Sequence, residues 1–245
     1  LLPLFKEQLS SFKYALGFTA LIIIIPAIIL LAEPDTGTFA VLFIAISSML
    51  IAGGMKLRHF FVLILISFVA VAILAMARPY IKERVLTFFN PSRDPQGASY
   101  QIQKSFIAIG SGGITGRGFG QSIQKFGSLP EPTGDSIFAV VGEEFGFVGG
   151  AIIIILFFLF GLRGLWIARS APDSFSGLLA IGVVILIVSQ SFMNIAAMLG
   201  LIPLTGVPLV FISHGGTAIL FSLLEIGILL NISRESTVSK GRRAK

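Results

Sequence analysis

The sequence predicts an all-α integral membrane protein, and three observations carry that prediction. Of 245 residues, 55% are hydrophobic and 12% charged, where an ordinary soluble domain carries about 25% charged residues. Mean hydropathy is +0.94, more apolar surface than a water-soluble core can hide. The apolar residues gather in runs close to the roughly 20 needed for a helix to cross a bilayer, and the basic residues fall in short patches between the runs.

Six runs read as transmembrane helices. The first covers residues 14–32 and contains Pro26, read as a kink because neighbouring helices can satisfy the freed carbonyl. The second covers 37–53 and the third 60–77. A polar stretch, 78–136, follows, and then come runs at 137–167, 175–199 and 207–232. The fourth is longer than a bilayer requires. The predicted organisation is three helices with an N-terminal flank (1–77), a large loop containing short helices (78–136), three more helices (137–232) and a basic tail (233–245).

Short loops set the orientation. Lys6 and Lys13, Lys56 and Arg58, Arg163 and Arg169, and the tail residues Arg234, Lys240, Arg242, Arg243 and Lys245 fall on one side if six spans alternate. That side is predicted to be cytoplasmic, which makes 78–136 extracytoplasmic. The long loop is itself basic, a feature that an anionic ligand would explain.

Composition also excludes. With no cysteine, disulfides, zinc–thiolate sites, iron–sulfur clusters and a cysteine nucleophile drop out. Two histidines, His59 and His214, do not suggest a histidine-rich metal site. The net charge of +6 is distributed as membrane topology, not as a nucleic-acid face.

The loop at 78–136 is too long for a slack connector. Tyr100 to Ile109 reads as an amphipathic helix lying on or dipping into the bilayer. Gly110 to Gly120 is glycine-dense: either a flexible hinge or a nest of backbone N–H groups turned toward an anion, with Arg117 and Lys125 adding charge. No Gly-Lys-Ser/Thr ends it and no strand precedes it, so neither nucleotide-binding fingerprint applies. Asp135 stands just before an apolar run, either as a helix N-cap or as a carboxylate at the membrane surface able to take a proton from a sugar hydroxyl. Gly142, Gly146 and Gly150 at four-residue spacing read as close helix packing. Glu143, Glu144 and Glu225 are charges at membrane depth, functional or structurally paired. Gln190, Asn194 and Asn231 read as interhelical glue, and His214 as marking a broken helix start.

At these residues the chain resembles the shape, elongation, division and sporulation family, the FtsW- and RodA-like peptidoglycan glycosyltransferases. Ala32-Glu-Pro-Asp-Thr-Gly-Thr38 is similar to the family's Gln-Pro-Asp-x-Gly-Thr, and Asn90-Pro…Asp94-Pro-Gln-Gly-Ala-Ser-Tyr-Gln101 to its Asn/Asp-Pro…Asp-Pro-x-Gly-x-x-Tyr-Gln. Ala108 to Gly113, Gly118 to Lys125, Leu129-Pro-Glu131, Asp135, Ile137-Phe-Ala139, Glu143-Glu144, Gly200 to Pro208, Gly215-Gly216 and Leu229 to Arg234 follow in family order. Two places depart: Thr133-Gly-Asp-Ser136 stands for His-Thr-Asp-Phe, and Ser213-His214-Gly-Gly for Ser-Tyr-Gly-Gly. The wording is closer to division-type (FtsW-like) than to elongation-type (RodA-like) members. The family has about ten spans, and the chain opens on Leu1, so about four spans are expected to be missing from this piece.

The resemblance implies polymerisation of lipid II at the outer face of the cytoplasmic membrane, with undecaprenyl pyrophosphate as leaving group. It implies Asp135 as catalytic base, with Arg84, Arg93, Lys104, Arg117, Lys125 and Glu131 binding substrate. A divalent cation such as Mg or Mn is a possible cofactor. Expected partners are a class B penicillin-binding protein, divisome or elongasome membrane proteins and membrane lipid, with no nucleic acid. The competing classes are a lipid II flippase and a non-catalytic scaffold for the penicillin-binding protein.

Overall fold

The computed structural model describes residue 17 and residues 35–77, 79–90 and 99–243. The first predicted span, 14–32, and the candidate residue Arg93 lie outside them. Within the described residues the chain is helical without strands: α1 Thr36–Ala52, α2 Leu57–Ala77, α3 Pro79–Phe89, α4 Tyr100–Gly112, α5 Gln124–Gly127, α6 Ile137–Arg169, α7 Ser174–Met198 and α8 Gly216–Arg243. Among them α6, α7 and Gly216–Ser236 are long and apolar enough to cross a membrane.

Local sequence explains the ends. Asp35 caps α1 by accepting the Thr38 N–H at 2.9 Å. Asp173 caps α7, its carboxylate accepting the N–H groups of Phe175 and Ser176 at 2.8 and 3.0 Å. Hydrogen bonds from Ser176, through its side chain and then its backbone, hold the Asp173 carboxyl below its ordinary range.

The last predicted span differs. Its apolar run opens at Val207, yet α8 begins at Gly216. Pro203 and Pro208 cannot donate to a helical ladder, and Phe211 takes a positive φ of 67°. The carbonyls of this irregular stretch are satisfied instead by side chains. Arg84 Nη1 donates to Leu204 O at 2.9 Å, Asn194 Nδ2 to Val207 O at 2.8 Å, and Gln190 Nε2 to Pro208 O at 3.1 Å. At its other end α8 runs past the predicted limit of residue 232, so most of the basic tail is helical.

The chain divides into two compact units. One takes the described residues through Ala72, Leu159–Ser189 and the chain from Leu220. Its helices pack through small residues: a Cβ on Gly182 would lie 2.7 Å from Met49 Sδ, and one on Gly164 2.3 Å from Val184 Cγ2. Leu50, Met55 and Leu63 form its buried cluster. The other unit is Ile73–Phe158 with Gln190–Ile219, and Ala108, Leu129, Ala139 and Val140 form a cluster there.

In this second unit α6 is not the unbroken helix that its sequence predicts. At Gly146 the backbone turns to φ 65°, ψ −161°. An intact helix would join the N–H groups of Phe147 and Val148 to the carbonyls of Glu143 and Glu144. Those N–H groups donate instead to Gly113 O and Ile114 O at 2.9 and 3.1 Å. The carbonyls of Glu143 and Glu144 accept from Arg117 N and Gly118 N at 3.0 and 2.9 Å. The loop after α4 and the break in α6 therefore exchange one helical turn's hydrogen bonds. All four of these backbone groups are paired, as a break at membrane depth would require. Close approach makes this possible: a Cβ on Gly112 would sit 1.9 Å from Gly142 O.

Candidate active site

Asp135 lies in the turn that leads into α6, and its backbone is held from several directions. Leu129 is buried upstream, and Glu131 adopts a positive φ of 45°. The Glu131 carbonyl accepts from Gly134 N at 3.0 Å and Ser136 N at 3.2 Å, closing the turn. His214 N donates to Thr133 O at 2.7 Å, Ser213 Oγ to Gly134 O at 2.7 Å, and Asn194 Nδ2 to Asp135 O at 2.6 Å. Three successive carbonyls are thus fixed by the irregular stretch before α8 and by the end of α7.

The carboxylate has its own partners. Gln101 Nε2, from the start of α4, donates to Asp135 Oδ1 at 3.0 Å and to Ser136 Oγ at 3.0 Å. Ser136, fully buried, also lies 3.4 Å from Oδ1. None of these bonds caps α6, so the Asp135 side chain is not committed to the helix start. Burial pushes the Asp135 carboxyl above its ordinary range; the Gln101 hydrogen bond opposes this, the nearby Glu131 carboxylate adds to it, and Ser136 and the residue's own amide oppose it. A half-buried carboxylate with raised basicity, turned away from capping, is equipped to accept a proton.

The other sequence-predicted residues are scattered in role. Arg84 holds the Leu204 carbonyl, as above. Lys104 Nζ lies 5.3 Å from the Tyr100 ring centroid and Lys125 Nζ 5.7 Å from that of Phe126. Glu131 is exposed beside Asp135. Arg117 Nε is 3.7 Å from Glu143 Oε1, with its side chain 38% exposed.

The anion-nest reading of the glycine segment is corrected here. The Arg117 and Gly118 amides donate to Glu143 and Glu144, and Gly116 N donates to Gly112 O at 2.8 Å, so these groups are not turned toward a ligand. Glu143 proves structural. Only 1% exposed, it accepts from Ser122 Oγ at 2.6 Å, Ile123 N at 3.1 Å and Gln124 N at 3.2 Å, fastening the segment that begins α5. Glu144 is buried with Oε1 unbonded. Glu225 belongs to the other unit.

Three residues that matter were not singled out for the site: Gln101, Ser213 and, read only as glue, Asn194. Gln101 stood inside the Tyr-Gln motif, but its partner is 34 residues away, a pairing that no local spacing announces. Among the described residues no three His, Asp or Glu side chains gather as a group that could hold a metal ion. A cavity of about 540 Å³ lies in the other unit, lined by Ala52, Arg169 and Asp173 among others, and holds none of the predicted site residues.

Apolar helices able to span a bilayer, a glycine-broken helix and a carboxylate held at the head of a span define, among the described residues, a multi-pass membrane protein with Asp135 as its acidic candidate centre. The chain belongs to the FtsW/RodA/SpoVE cell cycle protein family, whose model matches residues 4–238. It is 40% identical over 233 residues to stage V sporulation protein E of Bacillus subtilis, covering 94% of this chain and 63% of that protein. Over 222 residues it is 39% identical to a protein of Buchnera aphidicola named "Probable peptidoglycan glycosyltransferase FtsW", covering 89% of this chain and 63% of that one. The fold matches a chain of a solved peptidoglycan synthase complex that coordinates polymerisation and crosslinking, with a TM-score of 0.75 at 27% identity, over 96% of this chain and 68% of that one. The chain thus spans about three fifths of the length of the curated relatives it matches.

Proposed function

We propose that the chain is the catalytic part of a peptidoglycan glycosyltransferase that polymerises lipid II at the outer face of the cytoplasmic membrane. Names of relatives and the division-type wording favour an FtsW-like role in division over a RodA-like role in elongation. On this reading six spans leave both chain ends cytoplasmic and the loop at 78–136 outside. The observation that carries the reading is the Asp135 carboxylate: half-buried, raised in basicity, bound by Gln101 and not capping α6.

The chemistry asks little else of the protein. The 4-hydroxyl of the acceptor lipid II attacks the anomeric carbon of the growing glycan. Its proton passes to Asp135 as the new C–O bond forms, and the bond to undecaprenyl pyrophosphate breaks with the electron pair leaving on phosphate. A glycoside hydrolase needs a second carboxyl to protonate a poor leaving group; pyrophosphate leaves without one. Lys104, Arg117 and Lys125 retain cationic groups for the diphosphate, and Arg93 completes the set expected from sequence. A divalent ion would travel with the diphosphate, and no step needs it on a protein cage. A class B penicillin-binding protein is the proposed partner, joining the glycan strands by crosslinking.

The test is polymerisation of lipid II by the full-length protein with its transpeptidase partner. Asp135→Ala is expected to lower the rate at least about 100-fold, the low end of what a general base contributes. Polymer at the wild-type rate removes Asp135 from the mechanism. Translocation of lipid II without polymer by the wild-type protein would favour a flippase.

A further inference from the structure

We propose that Gln101 is a positioning residue for the base: its amide fixes Asp135 Oδ1 and leaves Oδ2 to meet the acceptor hydroxyl. The inference rests on the reading of Asp135 as that base.

The geometry is a closed triangle. Gln101 Nε2 carries two hydrogens, and they go to Asp135 Oδ1 and Ser136 Oγ, each at 3.0 Å. The Ser136 hydroxyl, 3.4 Å from Oδ1, closes the third side. Both side-chain hydrogen bonds of the carboxylate therefore fall on one oxygen, and among the described residues no other side chain bonds to the second. A carboxylate with one oxygen anchored by side chains has a fixed plane and a second oxygen without a side-chain partner, as proton abstraction from a defined direction requires.

The anchor is separable from the scaffold. The backbone around Asp135 is clamped by Asn194, Ser213 and His214, none of which uses Gln101. Loss of the amide would free the carboxylate's torsions without releasing the turn. The groups facing Asp135 are few. Glu131 comes from its own turn, Gln101 from α4, Asn194 from α7, and Ser213 from the stretch before α8, where the exposed His214 contributes its backbone N–H. Only Glu131 among these acts on Asp135 through its charge. Gln101 thus does two things: it aims the carboxylate, and its hydrogen bond favours the ionised form against burial.

The experiment is the pH dependence of lipid II polymerisation by the full-length protein with its transpeptidase partner. Gln101→Met keeps the side-chain length and removes the donor. It is expected to lower kcat about tenfold or more, in line with loss of a hydrogen bond to a charged group, with KM changed less than about twofold, since a positioning effect is lost in the transition state. The acid limb should move to higher pH, because a less stabilised carboxylate protonates earlier as pH falls. Glu131→Gln should move the same limb to lower pH, because a like charge is removed. Ser136→Ala is the second variant, should Gln101→Met fail to fold: it removes the triangle's hydroxyl, the other side-chain donor to Oδ1, and should shift the limb upward by less. A wild-type kcat and acid limb in Gln101→Met, with Asp135→Ala inactive, overturns the role of Gln101 and leaves the base intact. A limb that Glu131→Gln leaves in place reports some other group and also overturns it. Full activity of Asp135→Ala would instead remove the base itself.

Discussion

Asp135 and Glu143 are carboxylates eight positions apart at the head of the same helix, and the structure gives them opposite uses. Glu143 is 1% exposed and accepts from a serine hydroxyl and two backbone amides, with Arg117 nearby. Buried and already holding three donors, it offers no exposed face to a substrate. Asp135 is half-buried, with its side-chain partners on a single oxygen, while its backbone is held by others. Sequence marks both as acids near a membrane surface; the difference lies in how many donors reach them. Carboxylate chemistry here is decided by what remains unbonded.

That contrast can be broken most sharply by exchanging each acid for a neutral residue. Asp135→Asn keeps the shape and should lower lipid II polymerisation at least about 100-fold, with thermal unfolding in detergent little changed. Glu143→Ala leaves buried donors unmatched and should lower unfolding stability by about 3 kcal/mol. Its activity per folded molecule should stay close to wild type. A Glu143 variant that unfolds normally but cannot polymerise would erase the distinction.

A smaller effect sharpens the picture of the junction that Glu143 fastens. Gly146→Ala adds a side chain at φ 65°, where its Cβ would meet Gly116 N at 2.4 Å and Ile114 O at 2.5 Å. A destabilisation of about 2 kcal/mol is expected from the strained backbone and the contact, read from thermal unfolding. Gly110→Ala, in α4 with nothing within 4 Å of the added Cβ, should be neutral or stabilising by under about 1 kcal/mol. Equal effects at the two glycines would contradict the hydrogen-bond exchange.

Hydropathy made the helices legible because solvation by lipid imposes its own length and composition on a span. The ends of α6 and α7 fall within about two residues of the limits read from sequence. What failed was non-local. The run from Val207 looks helical, but Pro208 and side-chain donors from Gln190 and Asn194 hold its start irregular. Gly142, Gly146 and Gly150 announced close packing, and Gly112 against Gly142 is such a contact; the break at Gly146 depends on a partner loop 30 residues away, which periodicity cannot contain. Asp135 was visible as an isolated acid before an apolar run. Its anchor Gln101 was not, because a hydrogen bond across 34 residues leaves no trace in spacing.

The central claim is that Asp135 meets its substrate at the outer water–lipid boundary. This chain has no cysteine, so Asp135→Cys in the full-length protein, freed of any other cysteine, gives a single thiol at the site. In intact spheroplasts a membrane-impermeant maleimide should label it from outside. Labelling only after the membrane is permeabilised would put the carboxylate on the cytoplasmic side and contradict the account.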